Sequence, residues 1–363
     1  MPVSPTLSAL FRRVSWLLAP AAGLYGAAVW TRGKLYDWGV LRSRSFPVPV
    51  ICVGNLSAGG TGKTPHVEYV LRLLHGKGFR VASLSRGYRR KTRGFLLYAD
   101  GVTSAEIGDE PYQIAQNCPF AAVAVCEDRA KGIERLLAQE VAPQVIVMDD
   151  GFQHRRVRAG LYVLLTDAAR LYTRDRLLPW GLLREPRSGC RRADAVVVTK
   201  CAPGERPPLA VEARQGLYYS HIAYAPLLRT DGAESAETAD CKGRRVLLFT
   251  GIARPEPLRR HIVDSGGEVA AEIAFTDHHA FTPADLRRLE QAFVRCGAEL
   301  AVTTQKDAAR LGAAAAEFAP RLWDALCVQP IEVAVERGRD DEKTFNQLIT
   351  DYVDKNKRDG GVD

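Results

Sequence analysis

The chain has 363 residues, 46% of them hydrophobic and 25% charged, with a formal net charge of +8. That is long enough for two compact domains and reads as an ordinary globular composition, which excludes a disordered or fibrous protein. The eight cysteines show no CxxC and no Cys/His group at zinc spacing, which argues against a disulfide scaffold or zinc module and for reduced cytoplasmic thiols. The positive balance suits an acidic partner, but the basic residues are dispersed and lack the aromatic-rich motifs of nucleic-acid binders, so no nucleic-acid partner is expected.

From Val14 to Thr31 there is no charge, and Arg12, Arg13, Arg32 and Lys34 flank the stretch. As a helix these residues would reach about 27 Å, a little short of a bilayer core of roughly 30 Å. Pro20, Gly23 and Gly26 weaken a straight span, while Trp16, Tyr25 and Trp30 are interfacial residue types. Positive charge on both sides favours a segment lying in an anionic membrane surface. A membrane span and a buried core helix are the other two readings. A signal peptide fits poorly, because nucleotide chemistry follows at once.

The stretch Val48–Pro65 contains VGNLSAGGTGKTP. Apolar strand residues run into a glycine-rich turn and then a helical pattern from Lys63, the layout of a phosphate-binding loop. Small residues let the backbone bend around a phosphate chain, and the N–H groups and helix N-terminus point positive charge at it. Ser57, Ala58, Gly59, Gly60, Thr61 and Gly62 form the expected cradle. Lys63 is expected to reach the β/γ-phosphates and Thr64 to hold Mg²⁺. Ser57 stands where the usual pattern begins with glycine. The bland alternative is a glycine-rich surface turn.

Beyond the loop the pattern predicts a helix over Pro65–His75 and a strand over Val81–Ser85, then a short strand over 95–98. A helix follows from Gly108-Asp109-Glu110-Pro111. Strands are predicted over Ala121–Cys126, Val145–Met148, Leu161–Thr166 and Ala195–Thr199. Strands alternating with helices imply an α/β fold with a parallel sheet covered on both faces, ligands lying past the strands' carboxyl ends. Leu217–Leu228 reads as extended. A second, smaller series then follows: strands Val246–Thr250, Glu268–Phe275 and Glu299–Thr304, with helices from Pro255, Pro283 and Lys306. Cys327–Val335 is extended again, and the two extended segments are expected to pair as a two-stranded connector. Asp341–Lys355 reads as a last helix, and 356–363 as a disordered tail. The boundaries drawn are an N-terminal membrane-associating segment (1–38), a P-loop domain (39–216), a connector (217–244), a smaller α/β domain (245–325), a return strand (326–340) and a C-terminal helix and tail (341–363).

Asp149 and Asp150 follow four apolar strand residues, where a carboxylate orders Mg²⁺ or its waters. Which of the two is nearer the metal stays open, and an acidic turn is the bland reading. His154 either meets substrate, orients one of these aspartates or is structural. Asp109 is a helix cap or a general base that takes a hydroxyl proton. In Asp277-His278-His279, one histidine reaching a carboxylate is physically sensible; an exposed helix-entry histidine is the alternative. Arg86, Arg129 and Arg184 are each a phosphate clamp or a solvated surface arginine, and Glu185 could join a metal or substrate shell. Thr199-Lys200 occupies the place of a guanine-reading run, but position 202 is alanine rather than the carboxylate guanine needs, which favours ATP.

Taken together, the motifs resemble the tetraacyldisaccharide 4'-kinases, the lipid A 4'-kinases of Gram-negative bacteria. The matching pieces are VGNLSAGGTGKTP (53–65), SRGY (85–88), GDEP (108–111), EDR (127–129), DDGFQH (149–154), LREP (183–186), VTK (198–200), FTGIA (249–253), FTDHHAF (275–281) and TTQKDAARL (303–311). The resemblance implies a P-loop NTPase-type domain and a second, smaller α/β domain joined by a β connector. It implies ATP and Mg²⁺, and an N-terminal segment on the cytoplasmic face of the inner membrane. The implied acceptor is the 4'-hydroxyl of an acylated glucosamine disaccharide lipid. By position, Asp109 would be the catalytic base, paired with His278. Lys63 and Thr64 would serve phosphate and Mg²⁺, with Asp149, Asp150, His154, Arg129, Arg184 and Glu185 lining the site. His279 is an addition to the family's Asp-His and leaves open which histidine works. A soluble small-molecule kinase and a switch-type ATPase or GTPase are the rival readings.

Overall fold

The structure is a computed structural model that describes residues 15–229, 238–252, 255–276, 279–311, 314–339 and 343–359. Its elements run in chain order as α1 (Ala19–Asp37), β1 (Val50–Asn55), α2 (Lys63–His75), β2 (Val81–Ser85), β3 (Leu96–Leu97), α3 (Ser104–Ile107), α4 (Asp109–Asn117), β4 (Ala122–Val125), α5 (Arg129–Leu137), β5 (Val145–Asp149), β6 (Leu161–Asp167), β7 (Ala195–Thr199) and β8 (Gly216–Tyr224). They continue as β9 (Leu227–Arg229), β10 (Thr238–Ala239), β11 (Arg245–Thr250), α6 (Glu256–Asp264), β12 (Glu268–Ala274), α7 (Pro283–Cys296), β13 (Leu300–Thr304), α8 (Gln305–Leu311), α9 (Ala314–Phe318), α10 (Pro320–Asp324), β14 (Leu326–Gln329), β15 (Ile331–Arg337) and α11 (Phe345–Asp359). The chain divides into two compact units. One holds Pro2–Ile222 and Val333–Asp363, the other Ala223–Glu332.

The larger unit is built on a nine-stranded sheet of order β15-β8-β7-β6-β1-β5-β2-β4-β3 among the described residues. β1 lies parallel between β5 and β6, and β7 and β8 continue the parallel run. β3 pairs antiparallel with β4. The strand residues alternate between two cores: Val50, Cys52, Ile146 and Met148 on one face, Ile51, Val53, Val145 and Val147 on the other. A sheet buried on both faces needs runs of apolar residues, which these strands are. α2 covers the second face with Val67, Val70, Leu71 and Leu74 at helical spacing. β8, the first expected connector segment, is parallel to β7, with β15 on its other side. The first expected connector segment thus supplies β8 to this sheet and β9 to the smaller one, and the second supplies β15 and β14 respectively.

The smaller unit carries a six-stranded sheet of order β10-β9-β14-β13-β11-β12, with β11 to β14 parallel and β9 antiparallel to β14. Leu247, Phe249 and Ala301 face one core, and Val246, Leu248, Leu300 and Val302 the other. α7 starts with a capping box: Thr282 accepts from Asp285 N–H at 3.2 Å, while Asp285 accepts from Thr282 N–H at 3.0 Å.

Two expectations change here. α11 begins at Phe345 and runs to Asp359, so the first part of the expected disordered tail is helix. Position 360 onward lies outside the described residues. No helix among the described residues is long and apolar enough to cross a membrane, which removes the spanning reading of residues 14–31 for the part described. α1 is docked on one face: the Arg155 guanidinium donates to Gly33 O and to Asp37, each at 2.7 Å, and Arg32 donates to Gln153 O at 3.4 Å. Trp16, Leu17, Leu24 and Trp30 stay exposed.

β1 approaches the turn after β5 closely at Gly54. A Cβ there would sit 2.7 Å from Phe152 Cβ and 3.1 Å from its backbone nitrogen, and neither can swing away as a flexible side chain could. Gly54→Ala is expected to cost about 1–3 kcal/mol of stability through overpacking, read as a lower denaturant midpoint with an unchanged slope.

Candidate active site

The site is assembled at the carboxyl ends of β1, β5, β6 and β7. β1 ends at Asn55, and the loop that follows turns through Gly59 (φ +115°) and Gly62 (φ +80°). Both angles lie in the left-handed region open to glycine, so these two residues set the loop's path. Ser57 needs no such freedom. It forms an antiparallel bridge with Leu183, supported by Ala58 N–H to Leu182 O at 2.6 Å and Arg184 N–H to Leu56 O at 2.7 Å. The loop's first half is therefore strapped to the segment that carries Arg184. Lys63 opens α2 directly after Gly62, and Thr64 is buried behind it.

At the end of β5 the two aspartates take different roles. Asp150, at φ +51°, accepts both terminal nitrogens of Arg184 at 2.9 and 2.7 Å, and the Lys63 ammonium lies 3.7 Å away. Burial works against its ionisation, but the Arg184 hydrogen bonds and the Lys63 charge bring its carboxyl down to about 2. Asp149 is 1% exposed, and its Oδ1 has no hydrogen-bond partner among the described residues. Burial first, then the Glu110 carboxylate, push its carboxyl up to about 7, against the pull of Lys63. An unpartnered buried carboxylate beside a phosphate loop fits a divalent cation, which would replace the missing hydrogen bonds. Among the described residues no three His, Cys, Asp or Glu side chains cluster as a metal cage. Mg²⁺ does not require one, since it binds through one or two carboxylates and substrate phosphates. Thr64 and Asp149 suit it best, with Asp150 already engaged by Arg184.

The remaining expected residues separate. Arg129 is buried, donates to Cys126 O at 2.7 Å and presents its charge to Asp149 and Asp150. His154 Nε2 accepts from the Arg129 backbone N–H at 3.3 Å, and burial, then the Arg129 charge, lower its pKa to about 4. It is therefore neutral at pH 7. Glu185 is buried and accepts from Arg192 at 2.9 and 2.7 Å and from Gln153 at 2.8 Å, which makes it the counter-ion of a structural arginine. Arg86 is exposed at the end of β2. Asp109 is the first residue of α4 and half-buried, with Gly108 in the N-cap position. In the smaller unit, Asp277 and His278 lie outside the described residues. His279 Nε2 is 3.0 Å from Asp285, and its ring stacks on Phe275 at 4.6 Å.

Several contributors were not assigned to the site from the sequence. Asn55 Nδ2 donates to Thr61 Oγ1 at 2.8 Å, and its Oδ1 receives Arg184. Gln153 donates to Asn55 O at 2.8 Å. Tyr25, on α1, donates its hydroxyl to Arg184 O at 2.7 Å. Asn55 and Gln153 lie inside the matching pieces VGNLSAGGTGKTP and DDGFQH, a signal that could have found them; nothing in the sequence points Tyr25 to this contact.

His66, one turn into α2, donates from Nδ1 to Gly62 O at 2.7 Å and accepts from the Ser220 hydroxyl at Nε2, at 2.9 Å. Burial lowers its pKa from 6.5 to about 4. The unfolded chain takes up this proton near pH 6.5 and the folded chain only near 4. The stability His66 contributes is therefore complete above pH 6.5 and lost as pH falls toward 4. His154 acts in the same direction. His66→Gln is expected to flatten the fall of melting temperature between pH 6.5 and 4; an acid limb as steep as the native one would contradict this.

Comparison with known proteins follows the same lines. Residues 14–353 match the family described as Tetraacyldisaccharide-1-P 4'-kinase. The tetraacyldisaccharide 4'-kinase of Bacteroides fragilis is 44% identical over 96% of this chain and 95% of its own. That of Parabacteroides distasonis is 45% identical over 93% of this chain and 94% of its own. Among solved structures, LpxK from Aquifex aeolicus, crystallised in complex with ATP, superposes with a TM-score of 0.75 at 33% identity, covering 94% of this chain and 99% of that one. With a match over nearly its whole length and a P-loop site built as described, the chain belongs to the tetraacyldisaccharide-1-P 4'-kinase family.

Proposed function

We propose that this chain transfers the γ-phosphate of ATP to the 4'-hydroxyl of the tetraacyldisaccharide 1-phosphate precursor of lipid A, giving lipid IVA. The observation that carries the reading is the pairing of a glycine loop and Lys63 with two aspartates of opposite character, Asp150 clamped by Arg184 and Asp149 buried with its Oδ1 lacking a hydrogen-bond partner among the described residues. The LpxK structure from Aquifex aeolicus holds ATP, and the lack of a carboxylate at position 202 agrees with that nucleotide here.

Phosphoryl transfer asks a protein mainly for positioning and for neutralising charge on the transferring group. Residues 57–62 cradle the phosphates, and Lys63 supplies positive charge to the β/γ end. Thr64 and Asp149 would hold Mg²⁺, which would neutralise charge on the nucleotide phosphates. Arg184 fixes Asp150, and Asp150 in turn holds Lys63 at the loop's mouth. Arg129 adds a buried positive charge behind the aspartates. Asp109 takes the proton from the attacking sugar hydroxyl. The family resemblance assigns His278 as the second catalytic residue; its neighbour His279 is engaged by Asp285 and Phe275. Arg86, exposed past β2, is left for an anionic group of substrate.

A lipid acceptor also accounts for α1. Its exposed Leu24 and Trp30, with Trp16 and Leu17 in the turn just before it and Arg32 and Lys34 beside them, suit the surface of the inner membrane on its cytoplasmic side.

The direct test is incubation with γ-labelled ATP, Mg²⁺ and a lipid A disaccharide lacking the 4'-phosphate. Label is expected in the lipid; efficient transfer to a water-soluble acceptor instead, or hydrolysis indifferent to the lipid, would reject the assignment. Asp109→Ala is expected to lower turnover roughly 10²–10⁴-fold with ATP binding retained, and near-native turnover would remove the base. Deleting residues 1–31 is expected to reduce membrane retention while ATP still binds; unchanged partitioning would remove the anchor.

A further inference from the structure

Lys200 belongs to none of the roles above, yet it touches the phosphate loop. It follows β7 in a left-handed backbone conformation, φ +59°, which costs conformational energy in a residue with a Cβ and persists where its surroundings hold it. Its ammonium donates to Gly60 O and to Asp167 Oδ2, the latter at 2.9 Å. Asp167, at the end of β6, also accepts the Ala169 N–H at 2.9 Å through Oδ1, so the carboxylate that anchors Lys200 is itself fixed. The preceding residue does related work: Thr199 Oγ1 donates to Thr61 O at 2.9 Å. From the other side, Asn55 Nδ2 approaches Gly59 O at 3.4 Å. Three consecutive loop carbonyls, those of residues 59, 60 and 61, thus each have a side-chain donor from a neighbouring strand end.

The chemistry of a peptide plane gives this pattern a purpose. In a trans peptide the C=O of one residue and the N–H of the next point in opposite directions. Tethering the carbonyls of Gly59, Gly60 and Thr61 therefore sets the directions of the N–H groups of Gly60, Thr61 and Gly62. In this structure the Thr61 N–H turns back on Gly59 O at 3.1 Å, and the plane that carries it is the one Lys200 holds. A glycine loop left to itself would sample many orientations and lose entropy on binding.

We propose that Lys200, braced by Asp167, is a positioning residue for nucleotide phosphate: it holds the loop's central peptide from outside, with the Thr61 N–H turned onto Gly59 O, so that the loop's conformation is set before phosphate binds. The proposal rests on the nucleotide-site reading of the loop and not on the identity of the acceptor. Lys200 makes its contact with the loop's backbone, so its effect is confined to ligands that carry a phosphate chain.

The test compares the affinities of ATP, ADP and adenosine for the full chain and its Lys200→Met variant, by calorimetry or competition. ATP and ADP are expected to bind ~10- to 100-fold more weakly, the range for losing a hydrogen bond from a charged donor, with adenosine unchanged. Lys200→Arg is expected to recover part of the loss. Asp167→Asn, which keeps the lysine but removes its charged brace, is expected to move ATP and ADP in the same direction by less, and provides the readout should Lys200→Met fold poorly. ATP binding at native strength in both Lys200→Met and Asp167→Asn would overturn the proposal. A proportional loss of ATP and adenosine would overturn it too, by making Lys200 a contact to the base. Failure of the native chain to bind ATP at all would instead overturn the nucleotide site itself, and the proposal with it.

Discussion

Everything at the site depends on how two neighbouring carboxylates share one positive environment. Asp149 and Asp150 are adjacent in the chain, and two ionised groups so close cannot both be buried without opposite charge. The fold resolves this by giving the arginine to one of them. Arg184 grips Asp150 with two hydrogen bonds and keeps it ionised, while Asp149 stays buried, unpartnered and raised toward neutrality. Lys63, Arg129 and Arg184 surround the pair with positive charge, which suits an anionic nucleotide phosphate, and Asp149 Oδ1, without a hydrogen-bond partner among the described residues, suits a divalent cation accompanying it. Lys63, close to Asp150, links this balance to the glycine loop.

The sheet makes such a balance possible. With β1 between β5 and β6, the loop after β1 and the aspartates after β5 emerge side by side at the carboxyl edge. Next to them, β6 and β7 deliver Asp167, Thr199 and Lys200 to the loop's other flank. Both faces of the sheet are packed, so the strand ends have little freedom, and short polar side chains suffice to hold a loop rich in glycine. The strap formed by Ser57 and Leu183 completes the frame. It explains why serine is acceptable where the commoner pattern has glycine: the residue is extended and paired, not bent.

α1 reaches the same frame from outside. Tyr25 donates to the backbone carbonyl of Arg184, and Gly33 and Asp37 receive Arg155, one residue past His154. A helix that exposes Leu24 and Trp30 is therefore bonded on another side to the segments that hold Asp150. α1 and the nucleotide site are parts of one packed unit, which suits a kinase whose acceptor is a lipid.

Much of this was legible in the chain itself, for a physical reason. Loop glycines, a strand of four apolar residues before two aspartates, and helices with apolar residues three and four apart are local patterns, imposed by backbone geometry over a few residues. They located the phosphate loop, the acidic pair and both α/β series, and the order of the motifs was enough for the family resemblance. What the sequence could not decide was partnership across distance. Which aspartate takes Arg184, that Glu185 answers Arg192 rather than a metal, that β8 joins the large sheet, and that Asn55, Thr199 and Lys200 hold three loop carbonyls all depend on residues up to 140 positions apart meeting at strand ends. Only the strand order of the folded sheet brings them together, because a hydrogen bond registers distance in space and leaves no periodicity in the chain.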